Sequence, residues 1–161
     1  MENTSVYVTA LLDSLKKKQQ VLERLLALTK EQNELLNQSE VDADRFEEIL
    51  GEKDGYIKEI VDLNKGFERV FASIGTSLQD QKENYRSEIV QMQNLIRVVT
   101  DQGVALERLE RENKEIFTSY LRKNREEIAT FNKSNHMANT YHQNMANQHR
   151  EWQSYFMDSK Q

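Results

Sequence analysis

No proline occurs anywhere in the 161 residues of this chain. Proline is the commonest interruption of a helix interior, because it lacks the amide hydrogen and its ring collides with the preceding turn. Its absence permits helices far longer than those of an ordinary globular domain. The abundant residues, Glu, Lys, Leu, Gln, Asn and Arg, mostly favour or tolerate helix, and the unbranched ones lose little rotamer freedom there. The hydrophobic set makes up 37% of the chain and charged residues 30%. That is too little apolar matter for a thick core. It suffices for narrow stripes, each buried against a neighbouring helix.

The stripes are legible. Val8, Leu15, Leu22 and Leu36 fall seven apart or in multiples of seven, with Thr29 as a weak member of the series. Leu11 and Leu25 form a second series, interrupted by Lys18 and Gln32, and Leu12 and Leu26 broaden the face. This heptad pattern predicts a first helix over 4–37, capped by Thr4 or Ser5. A short link begins at Gln38-Ser39-Glu40. Asp44 followed by Glu47 resembles a capping box. The second stripe runs through Phe46, Ile49, Leu50, Tyr56, Ile57, Ile60, Leu63, Phe67, Val70, Phe71, Ile74 and Leu78, with helical spacing throughout. Gly51, Gly55 and Gly66 lie within it as sites of a bend or a close approach. Gly75-Thr76-Ser77 is the first plausible break, so the second helix is expected over 42–75.

A third helix over 78–131 carries Tyr85, Ile89, Met92, Leu95, Ile96, Val99, Leu106, Leu109, Ile116, Tyr120, Ile128 and Phe131 on one face. Asn113 interrupts that face. Such a residue can fix register if buried; the plainer expectation is a partly exposed site at a helix-pair edge. At 1.5 Å per residue this helix would be about 75 Å long, against about 50 Å for the first two. Part of it should therefore project beyond the bundle or pair with another chain.

After Phe131 the composition changes. NKSNHMANTYHQNMANQHREWQSYFMDSKQ is rich in Asn and Gln and nearly free of Leu, Ile and Val. Met137, Tyr141 and Met145 are spaced by four, and Trp152 and Phe156 extend that face, with Tyr155 and Met157 beside it. Such a segment has little drive to fold alone. One reading is a frayed helix end whose aromatics pack back on the bundle. The favoured reading is a partner-binding segment that orders on contact, because Met and aromatic side chains dominate adaptable binding surfaces.

Chemistry finds little support. No carboxylate stands three residues before His136, His142 or His149, as a di-iron bundle requires, and no His-Glu-x-x-His motif occurs. No cysteine nucleophile, phosphate loop or Gly-x-Ser-x-Gly elbow is present, and Glu47-Glu48 and Glu126-Glu127 are adjacent pairs that diverge on a helix. The chain is expected to have no catalytic residues, no metal and no cofactor. The net charge is −5 with the signs interspersed. Lys16, Lys17 and Lys18 form the longest basic run and point in three directions, so no nucleic-acid partner is expected. No apolar run approaches the roughly 18 residues of a membrane span. The N-terminus carries its charges after its apolar part, unlike a secretory signal. Absence of cysteine excludes disulfides without fixing a compartment, and a cytoplasmic location is the default.

Several stretches together resemble one family. FEEILGEKDGYIKEIVDLNKGFERVFASI, Phe46 to Ile74, is similar to the second helix of FlgN-type flagellar export chaperones, with Glu52-Lys53 as the charged pair in mid-stripe. LERLERENKEIFTSYLRKNREEI, Leu106 to Ile128, resembles their long third helix. SYFMDSK, Ser154 to Lys160, is similar to tails of such proteins in Gram-positive bacteria. The resemblance implies a cytoplasmic chaperone of flagellar type III secretion. Its clients would be hook–filament junction (hook-associated) proteins, kept unassembled until export, and the cytoplasmic domain of the export gate would be a later partner.

The expected molecule is all-α: an elongated antiparallel bundle of three long helices over 1–131, with a helical or partly disordered C-terminal tail over 132–161. Ile116, Tyr120, Ile128, Phe131, Met137, Tyr141, Met145, Trp152, Tyr155, Phe156 and Met157 are the expected partner-binding residues; Tyr141 and Tyr155 are candidates for docking on the gate. The alternatives are a FliT-type filament-cap chaperone, a structural coiled-coil adaptor that homodimerises through the third helix, and a metal-bearing four-helix bundle.

Overall fold

In the computed structural model, residues 2–123 are described. They form three helices, α1 (Glu2–Leu36), α2 (Ala43–Asp80) and α3 (Arg86–Lys123), each about 50–60 Å long at the standard rise. The chain runs up, down and up. Ser14 reaches the Leu63 carbonyl and Gln32 meets Lys53, so α1 and α2 are antiparallel. Gln102 reaches the Gln19 carbonyl and Asn113 the Thr29 carbonyl, so α1 and α3 are parallel. All three helices are expected from the stripes, and the fold is all-α as expected.

The boundaries shift for physical reasons. α1 begins at Glu2, an acidic residue that suits a helix N-terminus, so Thr4 and Ser5 lie within its first turn. The N-cap of α2 is Asp42, whose carboxylate accepts from the Arg45 amide at 3.1 Å; Asp44 falls inside the first turn instead of capping it. A cap of this kind contributes about 1 kcal/mol. The break expected at Gly75 does not occur. Ile74 and Leu78 are both buried and hold the turn across the glycine, and no glycine adopts a positive φ. The chain leaves α2 only after Asp80, where Gln79-Asp80-Gln81-Lys82-Glu83-Asn84 supplies nothing to bury. Gly51, Gly55 and Gly66 face open space rather than a packed neighbour. They make no close approach.

The buried series of α1 contains the polar interruptions. Val8, Leu11, Leu15, Lys18, Leu22, Leu25, Thr29, Gln32 and Leu36 are all buried, so the heptads continue through Lys18, Thr29 and Gln32. Two clusters fill the lower and middle bundle. One joins Val8, Leu11, Leu15, Phe67, Ile74 and Met92; the other joins Leu22, Leu25, Ile60, Val99 and Leu106. A fully buried leucine such as Leu25 contributes roughly 1.5–3 kcal/mol. The described part of α3 has 38 residues, as α2 does. It does not outrun its neighbours, and the projection expected from its length is not found among the described residues; residues 124–131 lie outside them.

Lys18 sits in this core and donates to Asn64 Oδ1 at 2.9 Å. Burial pulls its ammonium down to about 6. Between about 6 and the ordinary 10.5 the unfolded chain holds the proton and the folded chain does not. Stability should therefore rise with pH across that window, by at most about 1.4 kcal/mol per pH unit from this group. Urea unfolding at a series of pH values should show this slope, and Lys18→Met should flatten it. An identical slope in the variant would refute the assignment.

A polar layer beneath the candidate partner-binding end

The end of the bundle that the described part of α3 reaches at Lys123 is built by a small cluster. Leu36 of α1, Phe46 and Leu50 of α2 and Phe117 of α3 are buried together. The rings of Phe46 and Phe117 stack with centroids 5.4 Å apart and planes at 10°. Ile116 and Tyr120, two of the expected partner-binding residues, pack half-buried against this cluster with Leu121. The structure thus gives them a local packing role. The other nine, Ile128, Phe131, Met137, Tyr141, Met145, Trp152, Tyr155, Phe156 and Met157, lie outside the described residues, as do His136, His142 and His149.

A polar layer separates this cluster from the rest of the core. Lys53 of α2 is 2% exposed and Glu110 of α3 is 7% exposed. They form a charge-assisted pair. The same Lys53 ammonium donates to Gln32 Oε1 at 2.5 Å, and Thr29 Oγ1 donates to Glu110 Oε1 at 3.2 Å. Burial draws the Lys53 ammonium below the ordinary lysine range, against the attraction of Glu110. One turn higher, Asn113 is buried; its amide donates to the Thr29 carbonyl at 3.0 Å and its oxygen accepts from Asn33 Nδ2 at 2.8 Å. This corrects the expectation of a partly exposed edge site. The spacing allowed burial, and the deciding factor is that Thr29 and Asn33 supply partners for both ends of the amide.

Around the layer, Arg45 ties α2 to α1. Its Nη2 donates to Glu31 Oε1 at 2.9 Å and its Nη1 to Glu48 Oε2 at 3.1 Å. The hydrogen bond to Arg45 holds the Glu31 carboxyl below its usual range, and that to Glu31 raises the guanidinium further. Arg45 and Glu31 are only half-buried, and water screens the pair, so it orients the helix ends more than it stabilises them.

Sequence reasoning missed Phe117 and Glu110. Both belong to a series that only becomes regular when polar members are counted. Met92, Val99, Gly103, Leu106, Glu110, Asn113 and Phe117 are the buried residues of α3. Spacings of three, four and seven run through them without a gap. Reading apolar residues alone places the seam one position aside, on Ile116, which is only half-buried.

Among the described residues the arrangement offers helix-on-helix packing. The buried charges of the layer are engaged with each other. Among the described residues, no group of three or more His, Cys, Asp or Glu could hold a metal ion, and no helix is long and apolar enough to cross a membrane. Comparison with curated proteins and with solved structures gives no match. The sequence model of the FlgN protein family matches residues 1–149, covering all three helices and a large share of the C-terminal segment, and the chain belongs to this family of flagellar export chaperones.

Proposed function

We propose that this chaperone acts in the cytoplasm on hook-associated proteins of the hook–filament junction. It holds the client's terminal helical segment, blocks premature assembly, and then passes the client to the cytoplasmic domain of the export gate. The observation that carries this reading is the family match, which spans the whole described bundle and reaches residue 149. It therefore includes Met137, Tyr141 and Met145. An amphipathic client helix needs an apolar ridge with anchors three or four residues apart, and those three residues with Trp152 and Phe156 provide one. Ile116 and Tyr120 supply its root on the bundle, with Ile128 and Phe131 between, and Tyr155 and Met157 complete the set.

The test is co-purification with the C-terminal helical segment of a junction protein. Full-length protein should form a soluble one-to-one complex, and removal of residues 132–161 should abolish it while leaving the helical signal of the bundle. Failure of the full-length protein to bind any such segment ends this reading. A dilution-resistant dimer that binds none would instead support a structural adaptor.

A further inference from the structure

The three described helices are not arranged as a closed trio. α1 packs against both α2 and α3, yet no Cα of α2 comes within 8 Å of one in α3. In a compact three-helix bundle every helix backbone approaches both others. Two helices that share a neighbour but meet each other only through long side chains, here Lys53 with Glu110 and Phe46 with Phe117, are placed like the diagonal pair of a four-helix bundle. The fourth corner lies between α2 and α3, opposite α1.

The faces bordering that corner are not solvent faces. The α1-facing side of α2 is fixed by Tyr56, Leu63 and Gly66, which border α1 near Arg24 and Ser14. Leu50, Ile57 and Val61 point the other way at 3.6 residues per turn, and Leu50 and Ile57 are buried while Val61 is half-buried. On α3, Gln102 turns toward α1. Gly103 and Leu121 lie on the opposite side of the seam, Gly103 buried and Leu121 half-buried. A buried glycine inside a helix costs about 1 kcal/mol against alanine.

We propose that the chain's own residues 124–161 dock in this corner as a fourth helix, with the Met137–Tyr141–Met145 stripe against α2 and α3. The described part of α3 reaches Lys123, at the open end of the corner, and 38 residues follow it. They contain neither proline nor glycine. Asn132-Lys133-Ser134-Asn135 offers turn and capping residues for a reversal. The 26 residues beyond, as a helix, span about 39 Å, enough to pass Leu121, Leu50 and Ile57. The stripe has the helical spacing this corner requires. A tethered segment also meets the site at a local concentration no free partner matches. A groove of about 590 Å³ between α1 and α2 is a poorer seat: beside Leu63, Phe67 and Val70 it is lined by Lys17, Gln20, Arg24, Glu59 and Asp62.

The docking stands independently of the client reading, and its test contains no client. The chain has no cysteine, so single cysteines can be placed at will. Asp54→Cys on α2 and Lys114→Cys on α3 flank the corner at exposed positions; Arg24→Cys is the control at the same height in the α1–α2 groove. Each is combined in the full-length chain with a second cysteine scanned from 136 to 157, and disulfide formation is followed. The expected result is strong intramolecular cross-linking from both Asp54→Cys and Lys114→Cys, recurring every three or four scan positions and unchanged on dilution. Trp152, the only tryptophan, should emit at short wavelength and resist quenching. The proposal falls if yields show no helical period, if links form only between chains, or if Arg24→Cys links best.

Discussion

Lys53→Met is expected to lower the stability of the bundle by about 3–5 kcal/mol, because it leaves Glu110 as an uncompensated charge in the core. Glu110 is almost wholly buried and shares its oxygen between Lys53 and Thr29. Methionine fills the space of the lysine stem but offers nothing to the carboxylate or to Gln32. The double variant Lys53→Met/Glu110→Leu removes both charges. It should recover most or all of the loss, since replacing a buried ion pair by apolar side chains of similar volume is often neutral or stabilising. Urea denaturation followed by far-ultraviolet circular dichroism measures both. If the single variant is as stable as the parent, the pair is not a closed, desolvated contact. A double variant no better than the single would show instead that the hydrogen bonds to Thr29 and Gln32 outweigh the cost of burying the charges.

Phe117→Ala should cost about 3–5 kcal/mol, the usual range for deleting a buried phenylalanine. Phe117 is the α3 member of the upper cluster and stacks on Phe46. Its loss should also have a local signature. Amide hydrogens of α3 above Asn113 should exchange faster, whereas those around Leu106 should change only through global stability, because the polar layer lies between the two regions. Hydrogen exchange read by residue distinguishes this from uniform weakening. Phe117→Leu keeps much of the apolar volume and should lose far less. Exchange that accelerates equally along all of α3 would mean the layer does not divide the core.

The layer explains how the sequence is legible in outline and misleading in detail. A reading that searches for apolar residues treats Lys18, Thr29 and Gln32 as flaws in the first stripe and Asn113 as an edge. In the fold they are core positions. Thr29, Gln32 and Asn113 all take part in contacts between α1 and another helix. The charged pair Glu52-Lys53 carries a family likeness, yet its two members diverge. Lys53 turns into the core, and Glu52 stays outside beside Arg45. Adjacent residues on a helix point about 100° apart, so one sequence motif holds two unrelated contacts. Likewise Gly75 looks like a stop, but helix ends are set by where burial ceases, here after Leu78.

The sequence by itself determined the three helices, the buried stripes of the first two and the family. Each of these depends on local periodicity and propensity, which the order of residues contains directly. Tertiary structure alone decided which polar residues are buried, which partner each one meets, and that α2 and α3 meet only through side chains while both pack closely on α1. Those depend on side chains brought together from positions as distant as Thr29 and Glu110. A lysine at a heptad position is compatible with solvent or core until a carboxylate on another helix arrives to compensate its charge.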